Sequence, residues 1–162
     1  LDFTRPVEIQ MRKVELNSMM HDITQLAPVD GTRDEAHRIQ IVEQYTDSPI
    51  YVEGDGDLLK QALLNIVVNA CQAMPEGGQL TLTTELLKKD QAQLTISDQG
   101  VGIPEEVREK IFNLYFTTKP QGSGIGLAQA FRAVQLHSGR IEVESEVGRG
   151  TTFRITLPTV SE

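Results

Sequence analysis

The amino-acid sequence predicts an α/β fold, a two-layer sandwich in which one mixed, mostly antiparallel sheet is covered on one face by helices. Apolar residues recur at helical spacing in residues 57–74, whereas clean two-residue alternation marks the segments 79–87 and 92–98. Helical and strand-like segments also follow one another in an irregular order. That order does not fit a regular repeat of strand, helix and strand, so we expect hairpins packed against helices.

The amino-terminal elements follow from local signals. Residues 1–16 show no regular pattern, and Asn17 is expected to cap a short helix that runs through Leu26. Short alternating stretches then predict strands near 38–45 and 49–53.

The later elements have clearer boundaries. The 57–74 helix stops at Pro-Glu-Gly-Gly, and the strands 79–87 and 92–98 form a hairpin. A short helix is predicted for residues 104–112, Pro-Glu-Glu-Val-Arg-Glu-Lys-Ile-Phe. Another helix follows the glycine-rich stretch and ends near Gly139, and residues 140–158 make a final hairpin.

Composition limits the possible functions. The 162 residues are 39% hydrophobic, enough for one compact domain with its own core. A net charge of −8 and the lack of any basic run longer than Lys88-Lys89 argue against a nucleic-acid partner. The single cysteine, Cys71, provides no disulfide framework or cysteine-based metal site.

No apolar run approaches the roughly 20 residues that span a bilayer, and no signal peptide opens the sequence. We expect a cytoplasmic location without membrane contact by this segment, within a parent protein that could be membrane-anchored. The start without Met suggests an excised fragment.

Amide side chains form a stripe on the 57–74 helix. At 100° per residue, Gln61, Asn65, Asn69 and Gln72 fall within an arc of about 80°, opposite an aliphatic side. An Asn oxygen is a neutral, hard ligand suited to a Mg²⁺ ion that already carries phosphate oxygens. The alternative is that these amides bond to neighbouring backbone or lie at the surface.

Asp98 ends a predicted strand on its buried side. It shares parity with Leu94 and Ile96, so its carboxylate needs a hydrogen-bond donor, for which the amino group of adenine is a candidate. Gly100 and Gly102 would let the backbone pass close to a flat base. The alternative is an ordinary Asp in a turn.

The segment Lys-Pro-Gln-Gly-Ser-Gly-Ile-Gly-Leu-Ala holds three closely spaced glycines. Their spacing does not match the dinucleotide-binding fingerprint, and no Gly-Lys pair exists for a P-loop. Backbone N–H groups at a helix N-terminus, with Lys119 nearby, can still hold an anion. A flexible glycine linker is the alternative.

Four motifs, NIVVNA, DQGVGIP, IFNLYF and GSGIGLA, occur together in this order. They resemble the N, G1, F and G2 boxes of the catalytic ATP-binding domain of bacterial sensor histidine kinases. This domain belongs to the GHKL ATPase superfamily, with type II topoisomerases, mismatch-repair proteins and a heat-shock chaperone. The resemblance runs from Asn17 to Pro158. Further phrases, such as NACQAMPEGGQLTL, resemble the nitrogen-regulatory and flagellar-regulatory branch.

The resemblance implies a role for each matching position. Asn69 would bind Mg²⁺, Asn65 would line the phosphate site, and Asp98 would accept from adenine. Lys119 would approach the γ-phosphate from a mobile lid. Gln72 stands where some relatives carry a basic phosphate contact. The other residues expected at the nucleotide belong to the G1, F and G2 boxes: Gly100, Gly102, Ile103, Phe116, Gly122, Ser123, Gly124, Ile125, Gly126 and Leu127.

The phosphoacceptor histidine of the family is not matched. His21-Asp22 is followed by a proline only at Pro28, too far for the family's motif, so His21 is expected to be an exposed bystander. His137 matches a helix-ending structural position. The resemblance therefore implies that residues 1–16 are the tail of a dimerisation hairpin and its linker, and that residues 17–162 are the catalytic domain.

The implied function is transfer of a phosphoryl group from Mg-ATP to a histidine on a separate dimerisation domain, its own or a partner protomer's. A response regulator would act downstream. The fragment is expected to be monomeric and the parent a homodimer. A hydrolytic ATPase of the superfamily is one alternative, although Asn65 replaces the Glu that activates water in those relatives. A nucleotide-binding interaction module without catalysis is the other.

Overall fold

The computed structural model describes residues 8–27, 37–88, 90–113 and 126–161. Four helices are described: α1 (Leu16–Leu26), α2 (Gly56–Gln72), α3 (Glu105–Arg108) and α4 (Gly126–Leu136). The described strands are β1 (Arg12–Glu15), β2 (Ile39–Gln44), β3 (Tyr51–Gly54), β4 (Gly78–Leu87), β5 (Gln91–Ser97), β6 (Arg140–Glu146) and β7 (Gly150–Pro158).

Five strands form the main sheet in the order β2-β4-β5-β7-β6. Only the β2–β4 pair is parallel, and the other three pairs are antiparallel. Alternate residues such as Leu82 and Ile96, which pair across β4 and β5, are buried under the helices. The other face carries polar residues, including the paired Thr81 and Ser97. This confirms the predicted mixed, mostly antiparallel sheet with helices on one face.

Among the described helices, α2 supplies the largest share of the core. Its side chains at Ala62, Leu63, Ile66 and Val67 are at most 2% exposed. The Asp55 side chain caps its start by accepting from the N–H groups of residues 57 and 58. The predicted helix 57–74 is thus confirmed, with its end two residues earlier. No described helix is long and apolar enough to cross a membrane.

A two-stranded sheet outside the main one was not anticipated. β1 pairs antiparallel with β3, in a register that places Arg12 opposite Gly54 and Glu15 opposite Tyr51. Strand β1 is only four residues long and has no apolar alternation, so no local pattern predicts it.

The expected cap of α1 by Asn17 is wrong. Glu15 is the N-cap, and its carboxylate accepts from the N–H groups of Asn17 at 2.8 Å and Ser18 at 3.0 Å. The same carboxylate accepts from the Ile50 N–H at 3.0 Å. These bonds hold the pKa of Glu15 below its usual value, although burial opposes them. The Asn17 amide instead links the segment after β2 to β4, because it donates to Thr46 Oγ1 and accepts from Thr84 Oγ1.

The short helix predicted from Pro104 to Phe112 is shorter than expected. Only residues 105–108 are helical, and turns follow through residue 112. The Phe112 ring stacks on Phe131 of α4, with centroids 5.2 Å apart, and meets the edge of Phe153 at 6.1 Å. This aromatic group fixes the start of the IFNLYF segment on α4 and β7.

Candidate functional site

The amide stripe of α2 faces the beginning of α4. Asn65 Nδ2 donates to the carbonyl of Gly126 at 3.1 Å and lies 3.4 Å from Gln129 Oε1. Gln61 Nε2 donates to Asn65 Oδ1 at 3.1 Å. The structure therefore brings Asn65 to the residue at which the glycine-rich segment meets α4. Asn69 lies one turn further along α2 and is partly buried.

The carboxylate of Asp98 lies at the end of β5 and is only 6% exposed. Its Oδ1 accepts from the N–H of Gly100 at 2.8 Å and of Thr151 at 3.2 Å. Both bonds that the described residues make to this carboxylate end on Oδ1, and the described part of the chain gives Oδ2 no bond. Burial raises the pKa of Asp98, and the two backbone donors only partly offset that effect. The burial predicted from strand parity is confirmed.

The loop after Asp98 packs tightly on two other backbones. A Cβ on Gly100 would lie 2.3 Å from the carbonyl oxygen of Ala73, at the end of α2. Gly102 has a φ of +79° and would place a Cβ 2.3 Å from the carbonyl oxygen of Glu146. Glycine is thus required at both positions by the protein's own packing. This crowding fixes the loop against α2 and the β6–β7 turn.

Two residues that the sequence analysis did not single out complete the surroundings of Asp98. Thr151 is 5% exposed, and its carbonyl accepts from the Asp98 N–H at 2.8 Å. Ser145, opposite Thr151 in the β6–β7 register, lies with its Oγ 2.7 Å from Thr151 Oγ1. Its Oγ also accepts from the Ile103 N–H at 2.7 Å. Strand parity places Thr151 on the same side of β7 as the buried Phe153, but it gives no signal for the link from Thr151 to Ser145 and Asp98.

The other predicted site residues divide into two groups. Ile103 and Leu127 are partly buried against the core, and Gly126 is partly buried beside Asn65. The remaining predicted residues of the F and G2 boxes lie outside the described residues, and they are Phe116, Lys119, Gly122, Ser123, Gly124 and Ile125. In the part of the chain that the structure describes, no cluster of three or more His, Cys, Asp or Glu residues could hold a metal ion.

The described histidines do not converge on this site. The side chain of His21 on α1 is 57% exposed, and its Nδ1 lies 2.9 Å from a Glu43 carboxylate oxygen. His137 is buried, and its Nε2 accepts from the Asp55 N–H at 2.9 Å. Its Nδ1 donates to the Ala133 carbonyl at 2.7 Å. This ring therefore joins the end of α4 to the start of α2, which is a structural role.

Comparison with known proteins adds independent information. Residues 54–161 match the family model described as histidine kinase-, DNA gyrase B-, and HSP90-like ATPase. The chain is 35% identical to the signal transduction histidine-protein kinase AtoS of Escherichia coli K12 over 158 residues, which are 98% of this chain and 26% of AtoS. It is 38% identical to sporulation kinase D of Bacillus subtilis 168, over 90% of this chain and 29% of that kinase.

Solved structures agree with this similarity. The mycobacterial sensor histidine kinase MprB matches with a TM-score of 0.80 at 29% identity, covering 94% of this chain and all of that one. The catalytic domain of histidine kinase ThkA matches with a TM-score of 0.79 at 29% identity, covering 92% of this chain and 95% of that one. The chain spans only about a quarter of the two curated kinases named above.

Proposed function

We propose that this chain, which belongs to the family of histidine kinase-, DNA gyrase B- and HSP90-like ATPases, is the ATP-binding catalytic domain of a two-component sensor histidine kinase. The observation that carries the proposal is the buried Asp98 carboxylate. One of its oxygens is held by two backbone donors, and the described residues leave the other available. A buried acceptor of this kind is suited to an amino group of a ligand, such as that of adenine.

The dimensions of the site suit a nucleoside triphosphate. The loop after Asp98 packs on Ala73 at one end of α2, whereas Asn65 meets Gly126 further back along the same helix. Eight residues of helix separate Ala73 from Asn65, a distance of about 12 Å at 1.5 Å per residue. A nucleotide whose base is held at Asp98 would therefore direct its phosphates towards the amide stripe and the start of α4.

The phosphate end fits a Mg²⁺ ion that is shared with ATP. Asn69 offers a neutral amide oxygen from a partly buried helix face, and Asn65 lies one turn away. A hard cation with few protein ligands takes its other ligands from phosphate oxygens and water. When bound, Mg²⁺ would neutralise charge that develops on the phosphates. Lys119 and the glycines 122, 124 and 126 would add a cation and backbone donors from the lid.

The reaction would be phosphoryl transfer rather than hydrolysis. A ring nitrogen of a histidine on the dimerisation domain would attack the γ-phosphorus, so that a P–N bond forms while the bond to the β-phosphate oxygen breaks and ADP leaves. Asn65 carries an amide, which cannot take a proton from water as a carboxylate base can. The exposed His21 pairs with Glu43 and is not proposed as the acceptor.

The proposed partners follow from this reaction. The acceptor would be the dimerisation domain of its own or a partner protomer, in a homodimeric parent protein, and a response regulator would receive the phosphoryl group next. The proposed setting is the cytoplasm, and the proposed branch is the nitrogen-regulatory and flagellar-regulatory one.

Incubation with γ-labelled ATP, Mg²⁺ and a separately supplied dimerisation hairpin tests the proposal. Label should appear on the hairpin histidine and should be lost when that histidine is replaced by Gln. Steady phosphate release by the chain alone would instead favour a hydrolytic ATPase. ATP binding without either product would favour an interaction module.

A further inference from the structure

We infer that Ser145 is a positioning residue that makes the site prefer a purine carrying an exocyclic amino group over one carrying a carbonyl there. The inference rests on the proposed function, because it places a purine at Asp98. Asp98, Thr151 and Ser145 are neighbours in one row across β5, β7 and β6. Thr151 and Ser145 are directly paired, and the Asp98 N–H donates to the Thr151 carbonyl at 2.8 Å. All three share the sheet face that the helices cover, as the burial pattern of their strands indicates.

Counting hydrogens fixes the direction of the bonds in this row. The Ser145 hydroxyl has one hydrogen and two lone pairs, and it makes three contacts. The Ile103 N–H donates to it at 2.7 Å, and it donates to the Gly150 carbonyl at 3.0 Å, because a carbonyl can only accept. Its third contact, with Thr151 Oγ1 at 2.7 Å, is therefore satisfied only when Thr151 donates.

This direction determines what Thr151 can offer a ligand. With its hydrogen committed to Ser145, the Thr151 hydroxyl can only accept. The neighbouring Asp98 Oδ2 can also only accept while the carboxylate is ionised. Two acceptors on adjacent residues complement an amino group with two hydrogens. A carbonyl oxygen in the same place would instead face lone pairs, which penalises the wrong purine.

Titration of the 162-residue chain with ATP and with inosine triphosphate, which carries the carbonyl, tests the inference. Ser145→Ala frees the Thr151 hydroxyl to turn and donate to that carbonyl. The preference for ATP should then fall by about fivefold, the equivalent of one hydrogen bond. Thr151→Val removes the second acceptor but keeps the bond from Ile103 to Ser145, and it should also reduce the preference. It decides the question if Ser145→Ala does not fold.

A matched control lies on the open face of the sheet. Ser97 Oγ and Thr152 Oγ1 form the same kind of hydroxyl pair at 2.8 Å, away from the site. Ser97→Ala should therefore leave the ratio of the two affinities unchanged. If Ser145 has only a structural role, Ser145→Ala would weaken the binding of both nucleotides equally and keep the ratio of their affinities. That result would overturn the inference.

The outcomes separate the inference from the proposed function. If the unmodified chain binds neither nucleotide, the proposed function fails. If it binds both equally well, or if Thr151→Val keeps the wild-type ratio, the inference alone fails. A reduced ratio in both variants with an unchanged ratio in Ser97→Ala supports it.

Discussion

Replacing Asp98 by Asn should abolish most of the adenine contact, for a reason that lies in the geometry of its carboxylate. The N–H groups of Gly100 and Thr151 both point at Oδ1, at 2.8 and 3.2 Å. In Asp98→Asn, these donors force the amide oxygen into the Oδ1 position, so the NH₂ group takes the place of Oδ2. A donor would then face the amino group of adenine, which is also a donor.

The expected size of the effect follows from the bond that is lost. A hydrogen bond to a charged group contributes about 1.5–3 kcal/mol, which corresponds to roughly 10- to 100-fold in the dissociation constant. Calorimetric titration with ADP in the absence of Mg²⁺ measures the loss of this hydrogen bond without the contribution of Mg²⁺ to phosphate binding. Asp47→Asn, an exposed carboxylate outside the row, is the matched control and should bind as the unmodified chain does.

Thermal stability distinguishes a loss of adenine binding in Asp98→Asn from unfolding of the variant. Because burial raises the pKa of Asp98 above its unfolded value, its ionised form costs stability once the pH rises through the folded pKa. Asp98→Asn should therefore melt no lower than the unmodified chain at pH 7. The ADP affinity of the unmodified chain should also fall on acidification, because Asp98 is protonated. This fall should occur at a higher pH than the one at which an ordinary aspartate is protonated. An ADP affinity within threefold of wild type would refute the assignment of Asp98 to adenine.

Three further substitutions have defined outcomes. Asn69→Ala should remove the gain in ATP-analogue affinity that Mg²⁺ provides and leave Mg²⁺-free ADP binding intact, as calorimetry with and without Mg²⁺ would show. Gly100→Ala should lower the free energy of unfolding by about 1–3 kcal/mol through backbone overlap, whereas Gly56→Ala, whose Cβ would meet nothing closer than 3.8 Å, should not. His137→Leu removes the acceptor of the Asp55 N–H and should cost about 1–3 kcal/mol in urea unfolding; an unchanged midpoint would contradict the structural role.

Periodicity explains why much of the fold could be predicted. Helix α2 and the β4–β5 hairpin are long, and their apolar spacing reflects burial directly. β1 has no such signal, because its pairing with β3 is decided by residues far along the chain. The predicted N-cap of α1, Asn17, is wrong for the same reason. Glu15 is favoured over Asn17 because it also reaches the Ile50 N–H, a contact that no local pattern contains.

In the candidate site, too, some residues could be predicted from local patterns and others could not. Asp98 could be found because a carboxylate on the buried side of a strand is unusual and needs a partner. Thr151 and Ser145 could not, since hydroxyl residues are common in strands. Only the register of β5, β7 and β6 reveals that they continue the row that begins at Asp98. Asn65 was identified as an amide on a buried helix, but its bond to Gly126 required the three-dimensional structure.

Helix α4 is joined to α2 near both of its ends, and this bears on how a nucleotide could bind. Asn65 holds the Gly126 carbonyl at the start of α4, and His137 accepts from the Asp55 N–H at its end. The adenine side is fixed separately, because Gly100 packs on the backbone at the end of α2. Both sides of the proposed site are therefore built on one helix by contacts that do not involve nucleotide. Such preorganisation reduces the entropy lost on binding, so binding energy remains available to orient the γ-phosphoryl group.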